Sequence, residues 1–375
     1  MDLDSAFKRI FDDDEPDALG SGWWSGVASV FLGMLGFAGG LCLLFPEWLT
    51  TPSVRQAVSL PLAHGLVQAC IALSLLSGFV SALLRRRKVL ALAGVTLALL
   101  GSLAGSGAPP PAVLGGRGVL GLDWFALNLL LTTLVFVPME RAFPLKPSQS
   151  PFRVGWTTDA AHFLVSHLLV QLSLYMTLAP ARVLFAWALS PALHAFFAGQ
   201  PLVVQFLEVM VVADLTEYSV HRLFHQIPLL WRFHAIHHSA RAMDWLAGSR
   251  LHLVDIFLTR GLTFVPIFVL GFAAPAVYAY LIFVSFHAVF IHANVRFNFG
   301  TIEGWIATPR FHHWHHSAAT EAIDRNFAVH LPLIDRVFGT HYAPKGQWPD
   351  AYGIQGDPVP DGYWDQTTWP WVKTR

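Results

Sequence analysis

Four histidines fall within five positions in TPRFHHWHHS, residues 308–317, and a second crowd fills HRLFHQIPLLWRFHAIHHS, residues 221–239. Their spacing points to metal binding. His221 and His225 are four apart, so on a helix they project from one face, one turn apart. His234, His237 and His238 stand at i, i+3 and i+4, and His312, His315 and His316 repeat the pattern. Three helical faces therefore carry eight imidazoles. Surface decoration explains this poorly, because clustered imidazoles repel one another once protonated near their reference pKa of ~6.5. Neutral imidazole is a good ligand for iron, zinc, copper or nickel. The only cysteines, Cys42 and Cys70, lie in apolar runs, so nitrogen or oxygen must hold any metal. Eight ligands exceed the roughly four to six positions of one ion, and two metals are the simpler count.

His292, in FHAVFIHANVRFNFG, sits where an apolar run ends and can supply a ninth nitrogen. His252, His287 and His313 are candidates for support behind the ligands or for structural roles. Metal-bound histidines usually donate their other ring N–H to a carboxylate or carbonyl. Asp214, Glu217, Asp244, Asp255 and Asp324 are the candidate acceptors, and any of them can equally cap a helix or pair with a cation. His64, His162, His167 and His194 stand singly in apolar stretches and read as structural residues.

The elements that position these residues belong to a membrane protein. Of the 375 residues 54% are hydrophobic and 13% charged, which departs from soluble composition. With 24 basic and 24 acidic residues there is no basic footprint for nucleic acid. The acidic opening MDLDSAFKRIFDDDEPDALGSG lacks the basic start and cleavage signal of a secretory peptide, so the first apolar run is expected to remain as a span. That run is Trp23 to Phe45. Gln56 to Leu84, Val89 to about Ser106, and Trp124 to Met139 follow, each near the length of one crossing. Arg85, Arg86, Arg87 and Lys88 form the densest basic cluster and are expected on the cytoplasmic side. The N-terminus is then inside, the Pro109-Pro110-Pro111 loop outside, and Arg141, Lys146 and Arg153 inside, with Arg55 and Arg117 as mild exceptions.

Beyond Asp159, Ala161 to Ala181 and Val183 to Val212 suggest a hairpin interrupted by Arg182, Pro191 and Pro201. The uncharged run Gly261 to Asn294, with Gly271 and Pro275 near its middle, suggests a second hairpin. Both return to the inner face, where residues 214–256 and 295–375 can meet. The expected organisation is a four-span region over 1–145, a catalytic domain over 146–350 opened by the linker KPSQSP, and a cytosolic tail over 351–375. The fold class is all-α, a polytopic helical membrane protein with a histidine-rich metal site on its cytosolic face.

DLTEYSVHRLFHQIPLLWRFHAIHHS, the R-x-H of SRLHLVD, HANVRFNFG, and TPRFHHWHHS with DRNFAVHLPLIDRVFGTHY together resemble the fatty acid hydroxylase/sterol desaturase superfamily over roughly residues 150–350. The resemblance implies a non-haem di-iron centre with His221, His225, His234, His237, His238, His292, His312, His315 and His316 as ligands. Asp214, His252, Asp255 and His313 would stand behind them. Many relatives read R-x-H-P-x-E where this chain has Leu253 and Asp255, which weakens any role for His252 and Asp255. The four N-terminal spans lie outside the resemblance.

The family chemistry reduces O2 with two external electrons and hydroxylates or desaturates a C–H bond; hydroxylation is favoured here. A site beneath the inner leaflet, walled by FVPIFVLGF and AYLIFVSF, is reachable by a sterol, acyl chain, ether lipid or carotenoid. No flavin or haem signature is visible. Electrons are expected from a separate ferredoxin-like or cytochrome partner, docking near Arg241, Arg250 or Arg260. The competing functions are a dizinc lipid hydrolase and a metal transporter. H-E-x-x-H is absent and no Glu lies inside a histidine box, which disfavours the hydrolase. Transporters place ligands near the bilayer midplane on broken helices, unlike these boxes.

Overall fold

Apolar length dictates the first elements. A computed structural model describes residues 20–105, 120–356 and 358–372; most of the acidic opening, the Pro109–Pro111 loop and Arg117 lie outside the described residues. Helices α1 (Trp23–Leu44), α2 (Leu60–Leu84) and α3 (Val89–Gly105) pack on one another, and α4 (Leu122–Ala142) follows. Small residues set the close approach, as they do where helices meet without a solvent-driven hydrophobic force. A Cβ built on Gly94 would lie 2.0 Å from Ser29 Oγ, and one on Gly101 would lie 2.8 Å from the Gly36 backbone. The buried hydroxyls are satisfied across the seam, Ser29 donating to the Ser74 carbonyl at 2.8 Å and Ser74 to that of Ser29 at 2.7 Å.

The chain divides into two compact units, one of Met1–Leu131 with His167–Leu172 and one of Thr132–Ser166 with Ser173–Arg375. All the histidine crowds belong to the second. Its helices are α5 (Trp156–Leu168) and α6 (Val170–Leu184), both begun or ended near the unit boundary. There follow α7 (Pro191–Ala198), α8 (Leu202–Gln226), α9 (Pro228–His238), α10 (Leu253–Leu270), α11 (Ala274–His292), α12 (Pro309–His315), α13 (Pro332–Val337) and α14 (Tyr363–Thr368). Among the described residues there is no strand, only two isolated bridges, so the molecule is all-α. Five helices, α1, α2, α4, α10 and α11, are long and apolar enough to cross a membrane, and the bent pair α7–α8 makes a sixth if counted as one span. This is a multi-pass membrane protein.

The second hairpin forms as its breakers predict. Gly271 ends α10 with φ 76°, and a Cβ there would come within 2.2 Å of the His194 ring, so this turn requires glycine on both counts. The first apolar pair departs from a simple hairpin. It breaks into α5, α6, α7 and α8, because Pro191 starts one helix and Pro201 precedes the next, leaving a 118° bend between α7 and α8. Helix α8 then runs on past Val212 to Gln226, carrying the first two histidines out of the apolar stretch. It packs on α9, α10 and α11, with Val209, Ala213, Ile267, Phe272 and Tyr280 as a core.

Buried charge fixes the loops beneath. Asp159, 0% exposed, receives Arg153 at 2.7 Å and Arg250 at 2.5 Å, and Arg153 also reaches Asp244 at 2.7 Å. Two residues beyond 350 pack on the same unit: Tyr352 joins Ala240, Met243 and Ala247, and Val359 joins Ala235 and Ile236.

Candidate metal centre

The last turns of α8 present His221 and His225, and those of α9 present His234, His237 and His238. His292 is the final residue of α11. His312 and His315 ride on α12, whose start is capped by the Thr308 hydroxyl and Pro309, and His316 closes that helix. The nine side chains sort into two groups. His221, His225, His234, His238 and His315 form one, His237, His292, His312 and His316 the other, and within each group the ligating atoms lie within 4.8 Å of one another. The groups adjoin, with the His238 and His316 rings stacked at 4.6 Å and those of His237 and His316 4.5 Å apart.

Hydrogen bonds fix which nitrogen faces inward. The Nδ1 atoms of His221, His237, His292 and His315 meet the carbonyls of Phe327 (2.8 Å), Arg250 (3.1 Å), Ala288 (2.6 Å) and Arg325 (2.7 Å). Those of His234 and His225 meet the carboxylates of Asp255 at 2.7 Å and Asp324 at 3.1 Å. A carbonyl or carboxylate only accepts, so each Nδ1 carries the proton and each Nε2 is left as a bare lone pair. These lone pairs converge. His221 and His234 Nε2 are 3.0 Å apart, His234 and His238 3.2 Å, His237 and His292 3.3 Å, His292 and His312 3.0 Å, and His312 and His316 3.1 Å. Nε2 of His225 and His315, and Nδ1 of His312 and His316, are buried with no partner. Lone pairs held together in a dry pocket are unfavourable unless a cation lies among them. At metal–nitrogen bonds of ~2.0–2.1 Å, neighbouring ligands stand about 3.0–3.4 Å apart, which matches these separations. The donor set therefore fits metal ions.

The rings of His234, His237, His238, His312, His315 and His316 are held neutral. Burial, then repulsion from neighbouring imidazoles, places their pKa well below the usual 6.5. In the unfolded chain the same rings take protons below about 6.5, so there the unfolded state binds more protons and stability falls as pH falls. Metal-free protein should lose thermal stability progressively from pH 7 to pH 5, while metal-loaded protein resists until its metal is released. Unfolding temperatures of both forms across that range check this; a flat metal-free profile contradicts it.

Other sequence candidates take different places. His313 donates or accepts at Tyr352 Oη (2.8 Å) and meets the His292 carbonyl (3.3 Å), bracing the backbone of a ligand. His252 caps α10, its Nδ1 accepting from the Val254 N–H at 3.1 Å, and stands outside both groups. Asp214 accepts the backbone N–H groups of Val329, His330 and Leu331, anchoring the loop after α12 rather than a ring. Asp244 serves Arg153. His287 pairs with His330 at 3.1 Å and with the Ala307 carbonyl at 2.9 Å, apart from the two groups. His162 is held by the Leu251 carbonyl and Gln366, as a structural histidine would be. Of the arginines expected to dock an electron donor, Arg250 is 3% exposed inside the Asp159 network and Arg260 lies within the spanning helix α10, so neither offers an aqueous docking point.

Residues 324–327 have a role that the histidine spacing does not announce. Asp324, the Arg325 carbonyl and the Phe327 carbonyl hold three of the five rings in the first group. Asp324 and Asn326 have φ of 56° and 59°, a conformation that Asp and Asn tolerate best among side-chain-bearing residues. DRNF could have been read as such a turn. Asp324→Ala should weaken metal binding by about 10–100-fold while leaving the fold intact. Metal titration of the stripped variant checks this, and unchanged affinity contradicts it. Gly248 was also silent in the sequence; a Cβ there would press within 2.9 Å of His292 Nδ1.

Residues 206–340, which contain all nine clustered histidines, match the fatty acid hydroxylase family. Ornithine lipid hydroxylase OlsE of Rhizobium tropici is 30% identical over 263 residues, 68% of this chain and 78% of that protein. The chain belongs to the fatty acid hydroxylase family. Within the family it is also similar to human alkylglycerol monooxygenase, 32% identical over 131 residues, covering 35% of this chain and 29% of that one. Fatty acid hydroxylase vlmA of a Lecanicillium species is 30% identical over 146 residues, 35% of this chain and 40% of its own. No solved structure matches the chain. The family resemblance carried by the boxes is thus established, and with it an oxygenase enzyme.

Proposed function

We propose that this protein is an O2-dependent lipid hydroxylase whose His221, His225, His234, His237, His238, His292, His312, His315 and His316 hold two iron ions. The observation that carries this is the convergence of inward-facing Nε2 lone pairs into groups of five and four. Bound iron would supply the ability to reduce O2 with two external electrons and two protons, one oxygen entering a C–H bond and the other leaving as water.

The chain's own residues do the rest. Six fixed Nδ1–H donors hold the ligand atoms in place before metal arrives. Burial of the rings keeps water from the centre and keeps the imidazoles neutral. The apolar hairpin α10–α11 exposes Tyr278 and Ile282 on a span, a surface that bilayer lipid can meet. Electrons come from a separate ferredoxin or cytochrome, and the exposed Arg86, Arg87 and Lys88 support a cytoplasmic placement of the N-terminus and the centre. The relatives' printed activities on ornithine lipid, alkylglycerol and fatty acid favour hydroxylation of a lipid over desaturation.

A dizinc hydrolase needs a carboxylate base beside the metal, yet both carboxylates bonded to ligand rings, Asp255 and Asp324, are engaged with Nδ1 atoms. Turnover under 18O2 with a chemical reductant and membrane lipid extract separates the two. One 18O atom per product molecule is expected. Oxygen arriving only from water, with no O2 consumed, overturns the reading.

A further inference from the structure

The segment YWDQTTWPWV, residues 363–372, leaves two indoles uncovered. Trp364 is 77% exposed and Trp371 66%, with Val372 exposed beside them. Helix α14 here runs into a short 3-10 turn, Trp369–Trp371. Gln366 and Pro370, four apart, are buried, whereas Trp364 and Trp371, seven apart, are exposed, so the segment has an inner and an outer side. The inner side is firmly held. The Gln366 side chain meets His162 Nε2 at 3.0 Å and donates to the Pro360 carbonyl at 3.0 Å, and the Thr367 carbonyl meets His252 Nε2 at 3.2 Å. Arg232 of α9 donates to the carbonyls of Trp369 and Val372.

Helix α10 fixes the height of the outer side. Its 18 residues rise about 27 Å, no more than the ~30 Å of a hydrocarbon core, so a crossing by α10 leaves both of its ends at the membrane boundary. His252 caps its start. The Trp371 ring lies 6.5 Å from that of His252 and 5.0 Å from that of Phe233, and Leu229, one turn before Phe233 on α9, is exposed as well. Trp371 therefore stands at the level where α10 enters the bilayer. Tryptophan collects at that level, where its ring meets acyl chains and its N–H meets headgroups and water. We propose that Trp364, Trp371 and Val372 insert into the headgroup region, which makes the end of the chain a membrane-interface anchor and not a tail in water. A bilayer fits better than a protein partner because the exposed rings continue the boundary of a spanning helix. The anchor backs α9, where Val359 and Trp369 pack with Ala235 and Ile236 on the helix that carries His234, His237 and His238. It is independent of the reaction at the histidine centre.

The test is fluorescence quenching on metal-loaded, full-length protein in nanodiscs. Bimane is attached to Trp364→Cys or Val372→Cys in a Cys42→Ala, Cys70→Ala background, with Ile282→Cys on the spanning helix α11 as the deep reference. For groups buried roughly 5–10 Å into the headgroup boundary, lipids brominated near the carbonyl should quench both positions about twofold more than lipids brominated near the chain end. Ile282→Cys should show the reverse order. Aqueous iodide should quench the dye at 364 and 372 less than it quenches free bimane. A second measurement needs no dye. The Trp364 ring packs on its neighbour Tyr363 at 5.2 Å, so Trp364→Ser should leave the Gln366, Thr367 and Arg232 bonds in place. Amide exchange over residues 363–372 should still rise about tenfold, as loss of one buried aromatic ring allows. Dye at 364 and 372 that iodide quenches as freely as unattached bimane, while brominated lipids leave it bright, overturns the anchor and puts these rings in water or against a protein. Unchanged exchange in Trp364→Ser overturns it too.

Discussion

His238→Ala should abolish lipid oxidation and strip metal, while the protein still inserts and folds. The ring is irreplaceable on two counts. Its Nε2 lies 3.2 Å from that of His234 in the group of five, and its face stacks at 4.6 Å on His316 of the group of four. Losing one bracing partner of a ligand typically costs 10–100-fold in affinity or activity, and losing the ligand itself should cost at least about a hundredfold. His315→Ala should behave alike, because its Nε2 is buried without any other partner. His252→Ala is the control, since His252 caps α10 and meets the Thr367 carbonyl at 3.2 Å but stands outside both groups, and its metal content should equal that of wild type. Metal analysis and turnover on the three variants check this. Full activity in His238→Ala or His315→Ala contradicts the assignment.

Asp159→Ala should destabilise the catalytic unit by about 3–5 kcal/mol, the usual cost of leaving buried charges without their partner. Asp159 is fully buried between Arg153 and Arg250, so its loss leaves Arg250 without a carboxylate and Arg153 with Asp244 alone. The damage reaches the metal centre through the backbone, because the Arg250 carbonyl holds His237 Nδ1 at 3.1 Å. Lower metal occupancy should accompany the lower unfolding temperature. The comparison is Arg241→Ala, which removes an exposed pair with Asp361 at 3.3 Å and should shift stability by no more than about 1 kcal/mol. Equal unfolding temperatures for the two variants would contradict the role given to the buried network.

What the sequence revealed and what it hid have physical reasons. The nine histidines were legible because their spacings are helical, and α8, α9 and α12 keep those registers to their ends. The α10–α11 turn was legible because Gly271 can adopt a positive φ and a helix cannot cross it. Carboxylates were a different matter. Asp214, Asp244, Asp255 and Asp324 look alike in the chain, and only tertiary placement sends two to histidine rings, one to backbone N–H groups and one to an arginine. Carbonyl partners such as Phe327 and Arg325 leave no trace in residue type. Although Leu253 and Asp255 depart from the R-x-H-P-x-E pattern, the Asp255 carboxylate meets His234 at 2.7 Å. His252, expected behind the ligands, went to a helix start, because its Nδ1 meets the Val254 N–H there.

Metal identity and stoichiometry test the account most directly, measured by elemental analysis and Mössbauer spectroscopy on protein purified from membranes under low oxygen. Two irons per chain in coupled, all-nitrogen-and-oxygen sites are predicted, falling in parallel with activity when His238 is replaced. Two zincs in protein that turns lipid over without consuming O2, or full turnover with no metal bound, would contradict it.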